Sequence, residues 1–186
     1  MRTRITALLC LVALAGLACA EDDGKLPGVG KPAPAFDLPA TSIDTVLPGR
    51  KDAPSLSLKD LRGKNVVLFF YPKAMTKGCT VESCGFRDRV EKFAAADTVI
   101  VGISTDNLDA QDQFTRKEKL SFPLLADPEK KVTKAYGALG PRGIASRYTF
   151  VIDKKGVLRK VYTTVTPAKH PDEVLEYVKD HLAKGG

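Results

Sequence analysis

The chain has 186 residues, 44% of them hydrophobic and 27% charged, with a formal net charge of +7 at pH 7 and no tryptophan. That length supports one domain with a sizeable core, and the sequence holds no internal repeat and no low-complexity tract. The lysines and arginines are scattered, in short clusters at Arg116–Lys119 and Lys130–Lys134, without interleaved aromatic platforms. They read as a solvated surface and argue against nucleic-acid binding.

Met1–Ala20 reads as a signal peptide. Arg2 and Arg4 make a basic start, Ile5–Leu17 is apolar but short for a membrane span, and Ala18-Cys19-Ala20 is a small-residue cleavage site. A competing reading takes Leu17-Ala18-Cys19 as a lipoprotein signal with Cys19 acylated. Gly16 fits that signal poorly, so cleavage before Glu21 is favoured. Cleavage lowers the net charge by two and removes Cys10 and Cys19, leaving Cys79 and Cys84. Residues 21–30 then form a polar tether, and residues 31–186 form the domain. The protein is expected to be exported, periplasmic or otherwise outside the cytoplasm.

Val66–Tyr71 is a continuous apolar run, β-branched and aromatic, which predicts a buried strand ended by Pro72. After a loop with Gly78, apolar residues at helical spacing (Val81, Cys84, Phe86, Val90, Phe93) predict a helix from about Cys79 to Ala95. Gly85 weakens that helix locally. Thr98–Ser104 predicts a second buried strand. Leu108–Leu120 predicts a helix capped by Asp106-Asn107, and Phe122–Ala126 a short strand. Asp127-Pro128-Glu129 predicts the start of a helix running to Tyr136 and stopped by Gly137. Tyr148–Ile152 and Val157–Thr164 flank Asp153-Lys-Lys-Gly156, a hairpin signal. Pro171–Leu182 predicts a last amphipathic helix. The order β-α-β-α-β-α-β-β-α predicts an α/β fold of thioredoxin-like type, a mixed central sheet flanked by helices.

This order places Cys79 in the first turn of a helix, on the carboxyl side of a buried strand. The amino end of a helix carries unpaired N–H groups and partial positive charge, which stabilise a thiolate. Gly78 lets backbone approach closely, and Thr76 offers a hydroxyl one turn away. A lone cysteine is usually a small buried hydrophobe, but these features together mark Cys79 as reactive. By spacing alone Cys84 is either core on the inner face of the helix or a second redox thiol. A structural disulfide is disfavoured, because the pair closes only a very short loop. His170 and His181 read as surface residues, and two cysteines without a nearby histidine cannot complete a zinc site. Asp106, Asp109 and Asp112 read as cap and helix-surface groups. Glu82 is a local hydrogen-bonding group or the partner of an arginine.

Pro72-x-x-x-Thr76-x-x-Cys79 resembles the active-site signature of the peroxiredoxins. The longer string Tyr71-Pro-Lys-Ala-Met-Thr-Lys-Gly-Cys-Thr-Val-Glu-Ser-Cys-Gly-Phe-Arg-Asp88 resembles the bacterioferritin comigratory protein, or peroxiredoxin Q, branch. The resemblance runs from about Lys31 to the end of the chain. It departs at Lys77, where the branch commonly has proline, in a longer Thr41–Ser55 segment and in a shorter Gly137–Ser146 loop. It implies that Cys79 is the peroxidatic cysteine and Cys84 the resolving one. It also implies catalytic roles for Pro72, Thr76 and Arg147, the last matched by the arginine before the strand in Ala145-Ser-Arg147-Tyr-Thr-Phe-Val-Ile-Asp153.

The resemblance further implies a hydroperoxide substrate, a sulfenic acid on Cys79 closed by Cys84 into a disulfide, and a thioredoxin-like reductant. It implies a monomer and no metal, haem or flavin cofactor. Two rival readings use the same scaffold. A thiol–disulfide oxidoreductase would want Cys-x-x-Cys, whereas here four residues separate the cysteines. A non-catalytic binding domain would not need Pro72, Thr76, Cys79 and Arg147 together.

Overall fold

The computed structural model describes residues 24–183. The expected signal peptide, with Cys10 and Cys19, lies outside the described residues. From Gly30 the chain joins the sheet: its N–H donates to Leu158 O at 2.7 Å, and Pro32 bridges Val157.

The architecture is a five-stranded mixed sheet covered on both faces. Its strands are β3 (Asn65–Phe70), β4 (Thr98–Ser104), β5 (Leu124–Ala126), β6 (Thr149–Ile152) and β7 (Leu158–Tyr162), in the order β5-β4-β3-β6-β7. β4 runs parallel to β3 and β5, while β6 runs antiparallel to β3 and β7. A separate two-stranded ribbon, β1 (Asp37–Leu38) with β2 (Leu56–Ser57), precedes it. The helices are α1 (Lys77–Arg87), α2 (Val90–Ala94), α3 (Leu108–Glu118), α4 (Lys131–Ala135) and α5 (His170–His181).

β3 explains why both faces must be covered. Successive side chains on a strand point to opposite faces, and every residue of β3 is buried. Val66, Leu68 and Phe70 join one core with Phe36, Tyr136 and Phe150. Val67, Phe69 and Tyr71 join the other, with Cys79, Phe86, Phe93, Phe114 and Val174. The continuous apolar run therefore serves two cores at once, as a central strand should.

The predicted chain order of strands and helices in the main sheet holds, and the structure corrects three local expectations. First, the helix expected over Cys79–Ala95 is two helices, α1 and α2, and it begins two residues earlier. The break is at Arg89, with φ −119°. Its guanidinium reaches Asp172 on α5 through Nε (2.5 Å) and Nη2 (2.6 Å), and also donates to Gly85 O at 2.9 Å. This bidentate ion pair and the cap on α1's last turn outweigh the modest preference to continue the helix. Second, α4 starts only at Lys131, after Lys130 in the left-handed region at φ 62°. The Asp127 carboxylate instead accepts from the Thr133 N–H and hydroxyl, both at 2.7 Å. Third, His170 is buried rather than on the surface. Its Nε2 lies 2.8 Å from Thr149 Oγ1, and its ring meets those of Phe86 and Tyr162 edge-on. His181 is exposed, as expected.

Candidate active site

The site forms where the carboxyl end of β3 meets the loop preceding β6. β3 ends at Phe70, and a tight loop, residues 71–76, turns the chain into α1. Met75 adopts φ 60° in that loop, a conformation non-glycine residues rarely take. The residue before it is tied down by a chain of polar side chains. The Ala74 N–H donates to Asp106 Oδ2 at 2.8 Å, and Ser104 Oγ donates to the same oxygen at 2.7 Å. Gln111 Nε2 donates to Ser104 Oγ at 3.0 Å and to Leu125 O at 2.7 Å. Tyr71 closes the chain by donating its hydroxyl to Gln111 Oε1. Burial pushes the Tyr71 phenol well above its ordinary range, which keeps that proton in place.

Asp106 is therefore a loop clamp. The cap of α3 is Asn107, whose side chain accepts from Ala110 N at 3.0 Å. The sequence offered a cap signal at both positions. Only packing distinguishes them, because Asp106 lies within reach of a loop more than 30 residues away.

Thr76 is the N-cap of α1 by backbone conformation, and its hydroxyl donates to Lys73 O at 2.9 Å. With its proton so committed, Thr76 Oγ1 presents lone pairs outward as an acceptor. Cys79 lies in the first turn of α1, fully buried. Arg147, 68 residues later, donates from Nη2 to Cys79 Sγ at 3.3 Å and from Nη1 to the Glu82 carboxylate. One guanidinium thus spans the thiol and an acid one turn along the same helix. Gly78 lies beside this contact, where a Cβ would stand in ordinary van der Waals contact with Arg147 Nη2 at 3.4 Å.

Glu82 was legible only as a group with an open role. It is fully buried, and burial pushes its carboxyl up from 4.5 to about 7 while Arg147 pulls it the other way. Its second oxygen has no hydrogen-bond partner. Pro72 and Arg147 line an open depression of about 460 Å³ with Ser146, Tyr148 and Thr164. Of the predicted set, the structure brings Pro72 to the same depression as Arg147, puts Arg147 on Cys79, and places Thr76 at the amino end of α1.

Cys84 faces elsewhere. It is partly exposed, unpaired like Cys79, and its Sγ donates to Glu118 Oε2 at 3.7 Å, at the end of α3. Burial raises this thiol's pKa, and the Glu118 carboxylate raises it further, against the opposing pull of Arg87.

A buried thiol at a helix amino end, held by an arginine that enters the neighbouring strand, has counterparts among known proteins. Residues 29–161 match the AhpC/TSA family. The chain belongs to that family. It is 35% identical over 159 residues to peroxiredoxin Bcp of Escherichia coli K12, covering 82% of this chain and 96% of that protein. It is 39% identical over 164 residues to peroxiredoxin Bcp of Bacillus subtilis 168, covering 84% and 98%. Among solved structures, peroxidoxin BcpB of Mycobacterium tuberculosis superposes with TM-score 0.72 at 33% identity, covering 82% of this chain and 97% of that one. Peroxiredoxin Q of Xanthomonas campestris gives 0.70 at 28% identity, covering 80% and 92%. The chain is thus a peroxiredoxin of the Bcp/Q branch with a thioredoxin-like fold, and its chemistry is that of a thiol peroxidase.

Proposed function

We propose that this peroxiredoxin reduces hydrogen peroxide and organic hydroperoxides through Cys79, is resolved by Cys84, and is recycled by a thioredoxin-like reductant. The contact of Arg147 with Cys79 Sγ at the start of α1 carries this reading. Cys79 attacks as the thiolate, the nucleophilic form of the side chain, on the terminal oxygen of ROOH. The O–O bond breaks, the terminal OH passes to sulfur to give the sulfenic acid, and the departing alkoxide or hydroxide takes up a proton, equivalent to the one Cys79 released on ionising, and leaves as ROH or water. Arg147 stabilises the negative charge passing from sulfur to the leaving oxygen. Thr76 Oγ1 accepts the peroxide's O–H, Pro72 walls the approach, and the α1 amide groups face the developing charge.

Cys84 then attacks the Cys79 sulfur. The S–S bond forms, the sulfenic hydroxyl leaves as water with the Cys84 proton, and the thiol is spared further oxidation. Because both cysteines lie on one helix, a single chain completes this step, consistent with a monomeric enzyme. The two-electron debt is settled by dithiol exchange with the thioredoxin-like donor. Arg2, Arg4, the apolar Ile5–Leu17 stretch and Ala18-Cys19-Ala20 support export with cleavage before Glu21. Mass spectrometry of the native protein tests that: a start at Glu21 is expected, lipid mass on Cys19 identifies a lipoprotein, and an intact Met1 in the cytoplasm rejects export.

The decisive experiment pairs Cys79→Ser with Cys84→Ser. Cys79→Ser is expected to lose peroxide reduction entirely. Cys84→Ser is expected to consume about one peroxide per chain and then stall with the thioredoxin-type donor, as a nucleophile without its resolving partner must. Normal turnover by Cys84→Ser with that donor overturns the resolving role. Activity in Cys79→Ser overturns the whole scheme.

A further inference from the structure

The two thiols of α1 are held by different parts of the fold. Cys79 is gripped by Arg147, just before β6. Cys84 and Arg87, three residues apart on another face of α1, both end on Glu118, the last residue of α3. Cys84 Sγ donates to the Glu118 carboxylate at 3.7 Å, and Arg87 Nη1 donates to the Glu118 backbone carbonyl at 2.5 Å. That carbonyl is one of the unpaired acceptors of a helix end, so Arg87 satisfies it. Lys119, in the left-handed region at φ 51°, turns the chain away beyond this point. Cys84 must leave this docking site to reach Cys79.

We propose that Glu118 is a positioning residue for resolution: its carboxylate holds Cys84 as a docked, protonated thiol until Cys79 has been oxidised. This rests on Cys84 being the resolving cysteine. A hydrogen bond to a carboxylate is stronger than one between neutral groups, and it favours the thiol over the nucleophilic thiolate. Glu118 therefore works against resolution while α1 is folded, and release from it is part of the cost of the step. The delay leaves the Cys79 sulfenic acid open to a second peroxide, so Glu118 also sets how readily the enzyme over-oxidises.

Glu118→Gln keeps the shape and removes the charge. Two measurements test it. In a Cys79→Ser background, the alkylation of Cys84 by iodoacetamide is followed against pH. In the enzyme with both cysteines, rapid-quench mass spectrometry follows sulfenic acid and disulfide separately after one equivalent of hydrogen peroxide. Glu118→Gln is expected to shift the alkylation profile to lower pH. It should speed disulfide formation roughly fivefold, the effect of exchanging a charge-assisted hydrogen bond for a neutral one, with the oxidation rate of Cys79 unchanged. The variant should also need more peroxide to reach the sulfinic acid.

An unshifted alkylation profile overturns the grip on Cys84. Slower disulfide formation overturns it as well and makes Glu118 a base. A shifted profile with unchanged resolution overturns the kinetic role. If, separately, Cys84→Ser turns over normally, it is the resolving assignment that has failed, and the alkylation profile still reports on the Glu118 contact.

Discussion

Resolution of Cys79 by Cys84, as proposed above, requires α1 to open. Cys79 and Cys84 both lie within the regular span Lys77–Arg87. Residues five apart in an α-helix are separated by about 7.5 Å along the axis and about 140° around it, so their Cα atoms are roughly 8–9 Å apart. A disulfide requires about 4.4–6.8 Å, so the helix must give up about 2 Å or more. The perturbation is one equivalent of hydrogen peroxide, and the assay is amide hydrogen exchange by mass spectrometry on reduced and oxidised protein. The Val81–Arg87 amides should exchange about 100-fold faster or more once oxidised, because they fall from the protected toward the freely opening class. The change should be bounded. Phe93 is fully buried and Arg89 is fixed to Asp172, so α2 should keep its protection. Phe86 is also fully buried, and exposing it costs about 1.5–3 kcal/mol, which favours an opening of the backbone that leaves its ring in the core. Equal protection of Val81–Arg87 in both states refutes the reasoning and makes a Cys79–Cys84 bond untenable. Loss spread evenly over the whole domain refutes the boundary.

Three other outcomes are expected. Arg147→Ala should slow peroxide oxidation of Cys79 by about 100-fold or more, the usual cost of one electrostatic donor, and Arg147→Lys should not restore it, since a single ammonium lacks the fork that spans Cys79 and Glu82. Competition kinetics against a reference thiol measures this, and a change under threefold removes Arg147 from the chemistry. Glu82 has a folded-state pKa of about 7 against an ordinary 4.5, so its contribution to stability is full below about pH 4.5 and is lost as pH rises through 7. Relative to Glu82→Gln, the reduced wild type should lose at most about 3 kcal/mol between pH 5 and 8. Urea unfolding tests it, and parallel pH curves for the two proteins speak against a neutral buried acid. Gly85→Ala would gain about 1 kcal/mol in an isolated helix, but here its Cβ would sit 2.8 Å from Pro171 Cγ. Overpacking of that kind costs about 1–3 kcal/mol, so a net loss of about 1 kcal/mol and a Tm lower by roughly 2–4 °C are expected. A raised Tm would show that α5 yields freely.

What the sequence disclosed and what it withheld follow from the range of each interaction. β3, β4 and, to within two residues, the α1 start were legible because their signals are local: an unbroken apolar run, a proline stop and helical spacing. Pro72, Thr76 and Cys79 lie within eight residues and read together. Arg147 entered only through family resemblance, since nothing local announces that a distant arginine will meet Cys79. Withheld were the features that depend on contact across the fold. The α1/α2 break needs Asp172 on α5. The burial of His170 needs Thr149 on β6. Gly85 read as a weak point in a helix, whereas it is also the notch that admits Pro171. Glu82 and Asp106 are ordinary acids in sequence. Only tertiary placement makes one the partner of Arg147 and the other the clamp on the Ala74 amide.

The pairing of β3 with β6 has a consequence for how this domain can vary. Phe69 stands opposite Thr149 and Val66 opposite Ile152, so strand register sets where Arg147 enters relative to the end of β3, and the clamped 71–76 loop then carries α1 and Cys79 to meet it. Each residue along a strand advances about 3.3 Å and reverses the side-chain face. One residue gained or lost between Arg147 and Thr149, or within the paired stretch itself, would displace the guanidinium by about that distance, enough to break a 3.3 Å contact. Before Arg147 the chain is tied by the Leu139–Ala145 bridge and by the Ser146 N–H to Ala138 O at 2.7 Å, and only the turn between Gly140 and Ile144 is free of such a constraint. Insertions and deletions can accumulate there while the ruler formed by the two central strands keeps its graduation.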